Sequence, residues 1–143
     1  MKTAPIIAKL KADVALFAGR VAGAAELARA ENTPELAVPH AFVVPLGDAA
    51  GEDQLLGSAN LQELTEDVRV VVCLAAGDAY GQTGVEQLHD LRADLYAALL
   101  QWAWADGYSA FHYVAGSLID LDPARLWWAF DFAATTVTDL TEE

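Results

Sequence analysis

The chain has 143 residues, 55% of them hydrophobic and 20% charged, and its 21 acidic residues against 8 basic ones leave a formal net charge of -13. That length suits one domain with its own core; the composition is too apolar for intrinsic disorder, and no apolar run is long enough to span a bilayer. So acidic a chain repels phosphates, which excludes nucleic-acid binding through a phosphate-neutralising patch; the carboxylates either keep the protein soluble or line a surface that DNA slides past without sticking.

Lys9 and Lys11 interrupt the apolar N-terminal stretch too early for a secretion signal. Thr3 is a candidate cap for a first helix with Pro5 in its first turn, with Ile6, Ile7 and Leu10 on one side, running to about Ala12. Val14 to Val21 reads as a short strand, and Ala24 to Ala30, with Glu26, Leu27 and Arg29, as a short helix. Pro34 and Pro39 punctuate the chain before a strand at Ala41 to Val44 that Pro45 ends. Gly47 to Asn60 has no periodicity and reads as a long loop, of a length that is usually functional or mobile. From Asp67 to Ala76 both alternating sets of residues become apolar beyond Arg69, the pattern of an interior strand covered on both faces.

Gly77 to Gly84 reads as a tight turn into a helix, with Thr83 and Glu86 spaced as a capping box. Val85, Leu88, Leu91, Leu95, Leu99 and Trp102 then lay one apolar stripe along a long helix that Asp106-Gly107 stops. The remainder reads as a three-stranded meander over Ala110 to Ala115, Ser117 to Asp120 and Leu126 to Thr138, with turns at Gly116 and Asp122-Pro123. In the last strand Leu126, Trp128, Phe130 and Phe132 share one face, and Trp127, Ala129, Asp131 and Ala133 the other. Together these elements predict a single α+β domain over residues 1–143: a mixed, mainly antiparallel sheet with helices packed on it and a flexible tail at 139–143.

Signatures of catalysis are missing from this pattern. There is no Gly-x-Ser-x-Gly elbow, and the lone Cys73 falls inside a strand, where it reads as a buried small hydrophobe. His40, His89 and His112 lack partners at zinc-helix spacing, His89 reading as a flank of the helix stripe and His112 as part of the sheet. The glycines at 77, 81 and 84 come without the lysine of a phosphate loop. Asp90 with Asp94 and Asp120 with Asp122 are the carboxylate pairs that a small divalent-cation-dependent hydrolase would use, although Asp120 to Pro123 reads more simply as a turn. Trp102, Trp104, Trp127 and Trp128 lack the basic groove of a base-stacking platform and suit core and interface packing. Trp127 is then either a subunit contact or covered by a helix of its own chain. No catalytic residue, cofactor or metal site is predicted.

Ala41 to Leu46, Gln62 to Glu66 leading into Arg69 to Val72, Leu88 to Arg92, Ala97 to Trp102, Tyr113 to Asp122 and Leu126 to Phe132 occur in the order and spacing of phage and prophage tail terminator (tail completion) proteins, which the chain resembles from about residue 3 to 138. The resemblance implies a tail-terminator-like fold and a non-enzymatic virion protein of the tail, assembled in the host bacterial cytoplasm. It implies a homo-oligomeric ring, commonly a hexamer, that caps the head-proximal end of the tail tube, stops polymerisation and meets the head-tail connector, with DNA only as passing cargo and no membrane. The residues expected at subunit contacts are Asp48, Glu52, Asp53, Leu55 and Leu56 of the long loop, together with Arg69 and Trp127. Another head-tail joining or tail assembly subunit, the small hydrolase, and an acidic decoy for a nucleic-acid-binding partner are the competing readings.

Overall fold

The computed structural model describes residues 1–30, 36–56, 59–77, 82–122 and 124–139, with side chains described for all of these except 52–56, 59–61, 82, 138 and 139. Among them, helices α1 (Ala4–Asp13), α2 (Ala24–Ala30) and α3 (Gln82–Leu99) accompany strands β1 (Val21–Ala22), β2 (His40–Leu56), β3 (Ala59–Ala75), β4 (His112–Leu121) and β5 (Arg125–Asp139). The strands form one sheet in the order β1-β2-β3-β5-β4, with β1 parallel to β2 and every other pair antiparallel. The expected α+β class, a mixed and mainly antiparallel sheet carrying helices, is the fold observed.

Strand alternation divides the core. On the inner face Val68, Val70, Val72 and Leu74 of β3 meet Phe130 and Phe132 of β5, Ile6 and Leu10 of α1, and Leu88, Leu91, Leu95 and Leu99 of α3 in one cluster. On the outer face Phe42, Val71, Cys73 and Trp127 pack with Ala30 and Leu27 of α2 in a smaller one. Full burial of each large aliphatic or aromatic side chain contributes roughly 1.5–3 kcal/mol, so the inner face carries most of the stability. The two-faced reading of β5 therefore holds, and α2 of the same chain covers part of Trp127.

Several local expectations are corrected. Thr3 makes no side-chain cap; its carbonyl accepts the Ile7 N–H at 2.9 Å instead. The apolar stretch from Val14 folds as a 3₁₀ turn over Ala15–Phe17, and only Val21–Ala22 is strand. Its hydrophobicity serves to send Val14 and Phe17 into the core, and left-handed Ala18 and Gly19 (φ 50° and 80°) then turn the chain. Pro45 does not end β2; it precedes a bulge on the sheet's edge, where a missing N–H is tolerated.

The largest correction concerns the expected loop from Gly47 to Asn60. β2 continues to Leu56 and pairs antiparallel with β3 from Ala59 onward, while residues 57–58 lie outside the described set. Small and acidic residues hide the strand: Gly47 to Gly51, the part of this segment whose burial is described, are exposed, so no core imposes apolar alternation there. β5 extends beside it as far as Asp139, which pairs with Leu61, so the three strands form an arm beyond the helix-covered body. Residues 140–143 of the expected flexible tail lie outside the described set.

At the other end of β3, α3 begins at Gln82, so Thr83 lies inside its first turn and is not the cap of a Thr83–Glu86 box. A Cβ on Gly84 would come within 2.8 Å of the Ala75 carbonyl oxygen, and the Gly84 N–H donates to the Ala76 carbonyl at 3.1 Å. Glycine thus lets the helix start hard against the strand, as the turn reading required; Gly81 lies outside the described residues. Val85 is 54% exposed and does not join the stripe, whose buried members are Leu88, Leu91, Leu95 and Leu99. His89, expected to flank that stripe, is exposed.

The helix stops before Asp106-Gly107, because Gln101 adopts a left-handed conformation (φ 70°) and Leu100 bridges to Phe111. Gly116 does not turn the chain, since β4 runs through it with the Tyr113 hydroxyl and Trp128 indole lying over the space a Cβ would take. Nor is the C-terminal half a meander. β5 inserts between β3 and β4, and a strand with aromatic residues on both faces needs that central place to cover them.

Candidate functional site

A groove crosses the outer face of the sheet beside α2, with a volume of about 580 Å³. Val44 and Leu46 of β2, Arg69 and Val71 of β3 and Trp127 of β5 form its floor, Leu27 of α2 one wall, and Ile119 and Asp120 of β4 the other. The floor is mainly apolar because these positions belong to the outward set of each strand, which α2 is too short to cover.

One ion pair is set into this surface. Arg69 and Asp131 are direct cross-strand partners; Arg69 Nε donates to Oδ1 at 2.7 Å and its terminal nitrogen to Oδ2 at 3.0 Å. This two-pronged contact raises the Arg69 pKa above its ordinary value, first through the hydrogen bond to Asp131. Asp131 is 8% exposed, so the guanidinium compensates a carboxylate that is nearly out of water. The pair sits in register across β3 and β5, with Arg69 lining the groove.

Of the residues expected at contacts, the fold brings Arg69 and Trp127 together in this groove. Trp127 is 7% exposed and packs near Phe42, ring centroids 6.3 Å apart, so most of its surface is used within the chain. Asp48 stands exposed on the arm. The backbone of Glu52, Asp53, Leu55 and Leu56 runs farther along β2, away from the groove, and their side chains lie outside the described set. Asp131 and the Leu27, Val44, Leu46 and Ile119 positions were missed as parts of one surface. The signal for the first was present: Asp131 interrupts the apolar face of β5 formed by Trp127, Ala129 and Ala133, and Arg69 offers the opposite charge where the β3 face turns apolar at Val71 and Cys73.

The arm's root is tied to the body on the inner face. Glu66 is 7% exposed, accepts a hydrogen bond from the Tyr108 hydroxyl at 3.0 Å and lies 3.1 Å from the Met1 amino group. Burial, then the neighbouring Glu66, pushes the Tyr108 pKa up. Ser109 donates its N–H to the Thr135 carbonyl at 2.8 Å, so the stretch after α3 covers part of the free edge of β5.

Groups considered for chemistry are engaged otherwise. Burial pushes the Cys73 thiol up to about 12, so it is protonated at neutral pH and packs as a small hydrophobe. Asp122 Oδ1 accepts the N–H groups of Ala124 and Arg125, both at 2.8 Å, and Asp120 Oδ1 accepts that of Leu121 at 2.9 Å, which is turn chemistry. Asp90 and Asp94 are exposed on α3, and among the described residues no group of three or more His, Cys, Asp or Glu is placed to hold a metal ion. No helix among them is long and apolar enough to cross a membrane.

The model of the family described as phage tail terminator protein matches residues 1–141, nearly the whole chain. The chain belongs to the phage tail terminator family. Among solved structures it is similar in fold to a chain from the virion of a native gene transfer agent particle, with a TM-score of 0.51 and 16% identity over 93% of this chain and 92% of that one. Comparison with curated proteins found no match. Family membership makes this terminator-family chain a structural component of a phage-like virion.

Proposed function

We propose that this protein is a non-enzymatic tail subunit that assembles as a homo-oligomeric ring, a hexamer by family resemblance, on the head-proximal end of a phage or prophage tail tube. There it stops polymerisation and presents a surface to the head-tail connector. The observation that carries this reading is the family match over residues 1–141. Its partners are copies of itself, the tube protein and the connector; DNA passes through as cargo, repelled by a net charge of -13. Assembly takes place in the bacterial cytoplasm, as one domain with no cofactor.

The arm is the natural contact element, because it projects three paired strands beyond the helix-covered body. Heterologous ring contacts need two different surfaces on each copy, and the arm and the groove are such surfaces. The test is negative-stain microscopy of purified tail tubes polymerised with and without the protein. Uniform tubes with a ring at one end are expected; tubes of unchanged length with bare ends would overturn the reading in favour of another head-tail joining role.

A further inference from the structure

Both long edges of the sheet are open among the described residues. β4 pairs with β5 on one side only, leaving His112–Leu121 with a free backbone edge. At the opposite edge the two-residue β1 covers β2 only at Ala41 and Phe42, so β2 is open from Val43 to Leu56. Free edges template pairing with another chain, and proteins commonly blunt them with lysine, proline or a covering element. β4 contains neither lysine nor proline, and it exposes Val114, Leu118, Ile119 and Leu121 at 46 to 53%.

We propose that β4 of one copy pairs antiparallel with the open edge of β2 in a second copy of this chain, so that the ring is closed by one continuous sheet. This rests on the ring reading above. Strand direction supports it. β2, β3, β5 and β4 alternate in direction, so β4 runs antiparallel to β2. A rotation about an axis near the strand direction preserves that sense, and the alternation continues across the seam between copies.

The outline of the sheet supports it as well. Through successive partners, Asp120 of β4 is level with His40 of β2, and His112 with Gly47. The midpoint of the open β2 edge, Val43 to Leu56, therefore lies about six residues beyond the midpoint of β4, or ~20 Å along the strands. Four strands at about 4.8 Å spacing are ~19 Å wide, so joining the two edges tilts the strands by about 45°, at the upper end of the 35–45° found in closed barrels. The sheet is flush at one end, where Asp120, Trp127, Cys73 and His40 lie level, and stepped at the other, where β4 stops at His112 while β2 runs on to Leu56; seating β4 at the middle of the open β2 edge supplies the stagger that closure requires. Bulges on β2 and β4 add the bending seen in strands at barrel rims.

Charge is compatible with the same pairing. From His112 to Ile119, β4 carries no Asp, Glu, Lys or Arg, so an edge bearing Asp48, Glu52 and Asp53 meets no like charge until Asp120. In a chain this acidic, an uncharged strand offers a neighbour's acidic strand a place to lie.

Cysteine cross-linking tests the inference. Ser117, opposite Ala129, and Ala49, opposite Thr65, share the outer face near the centres of the two edges. Ala49→Cys and Ser117→Cys proteins, mixed, assembled on tail tubes and oxidised, are expected to form a disulfide heterodimer. A chain carrying both is expected to give a ladder of covalent oligomers, and neither single variant alone gives a ladder. Ser117→Asp, at an exposed position, is expected to keep the wild-type Tm and lose about tenfold or more in self-association through like-charge repulsion. Rings visible on tubes without cross-linking of Ser117→Cys to Ala49→Cys, or to cysteines at positions 47 or 51, overturn the edge pairing and leave the terminator reading standing. Tubes with no ring overturn both.

Discussion

From Ala41 to Val43, Val68 to Leu74 and Leu126 to Phe132, the central strands carry side chains buried on one face or the other by helices and neighbouring strands. Beyond Gly47, Asp67 and Ala134 the same strands continue with exposed Asp48, Ala49, Ala50, Glu63 and Val137, and neither core cluster includes a described residue between 47 and 67. The body is held by burial and the arm by its backbone ladder. Removing Asp48, Ala49 or Ala50, which are exposed, therefore subtracts little apolar burial, whereas one cavity in the body costs several kcal/mol. The division gives a body that holds its shape and an extended element whose backbone groups are partly free to meet another molecule.

Predictions follow that division. Phe130→Ala, at a fully buried body position, is expected to destabilise by about 3–5 kcal/mol, read as a lowered midpoint in urea unfolding. Replacing residues 51–63 by Asn-Gly, so that a two-residue turn joins the paired Ala50 and Leu64, is expected to leave that midpoint nearly unchanged and to abolish tube capping. A shortened protein that still yields infectious particles would break the comparison, as would one that unfolds.

Smaller effects sharpen it at the boundary. Asp131→Ala leaves Arg69 without its partner and is expected to cost about 1–3 kcal/mol, while Arg69→Met with Asp131→Leu restores most of that stability. Gln101→Gly, at φ 70° just after α3, is expected to gain about 0.5–1 kcal/mol. His40 has a pKa lowered from 6.5, chiefly by burial. The unfolded chain then binds the extra proton first, so stability present above pH 6.5 declines as pH falls below it. A Tm measured from pH 7.5 to 5.5 should drop less in His40→Gln than in the wild type.

What was legible in the sequence is what the core dictates. The interior strand at Asp67 to Ala76, the leucine stripe of α3 and the two faces of β5 were readable because burial on a fixed period writes itself into residue type. The arm was not, because exposed residues such as Asp48, Ala49 and Ala50 keep the strand's pairing without keeping an apolar pattern. The Val14 to Val21 stretch erred the other way: its apolar residues anchor a turn, and hydrophobicity without periodicity does not distinguish the two. Arg69 and Trp127 were singled out separately, and only the sheet order shows that they share a groove.

Cys73 lies at the centre of the outer cluster with no exposed surface and a thiol held protonated. An alkylating reagent can reach it only when the sheet opens, so its labelling rate is a clock for opening of the body. A cysteine placed on the arm would run on a separate clock. Reading both on free protein and on protein mixed with tail tubes would show which part of the molecule, if either, is slowed by contact with a tube.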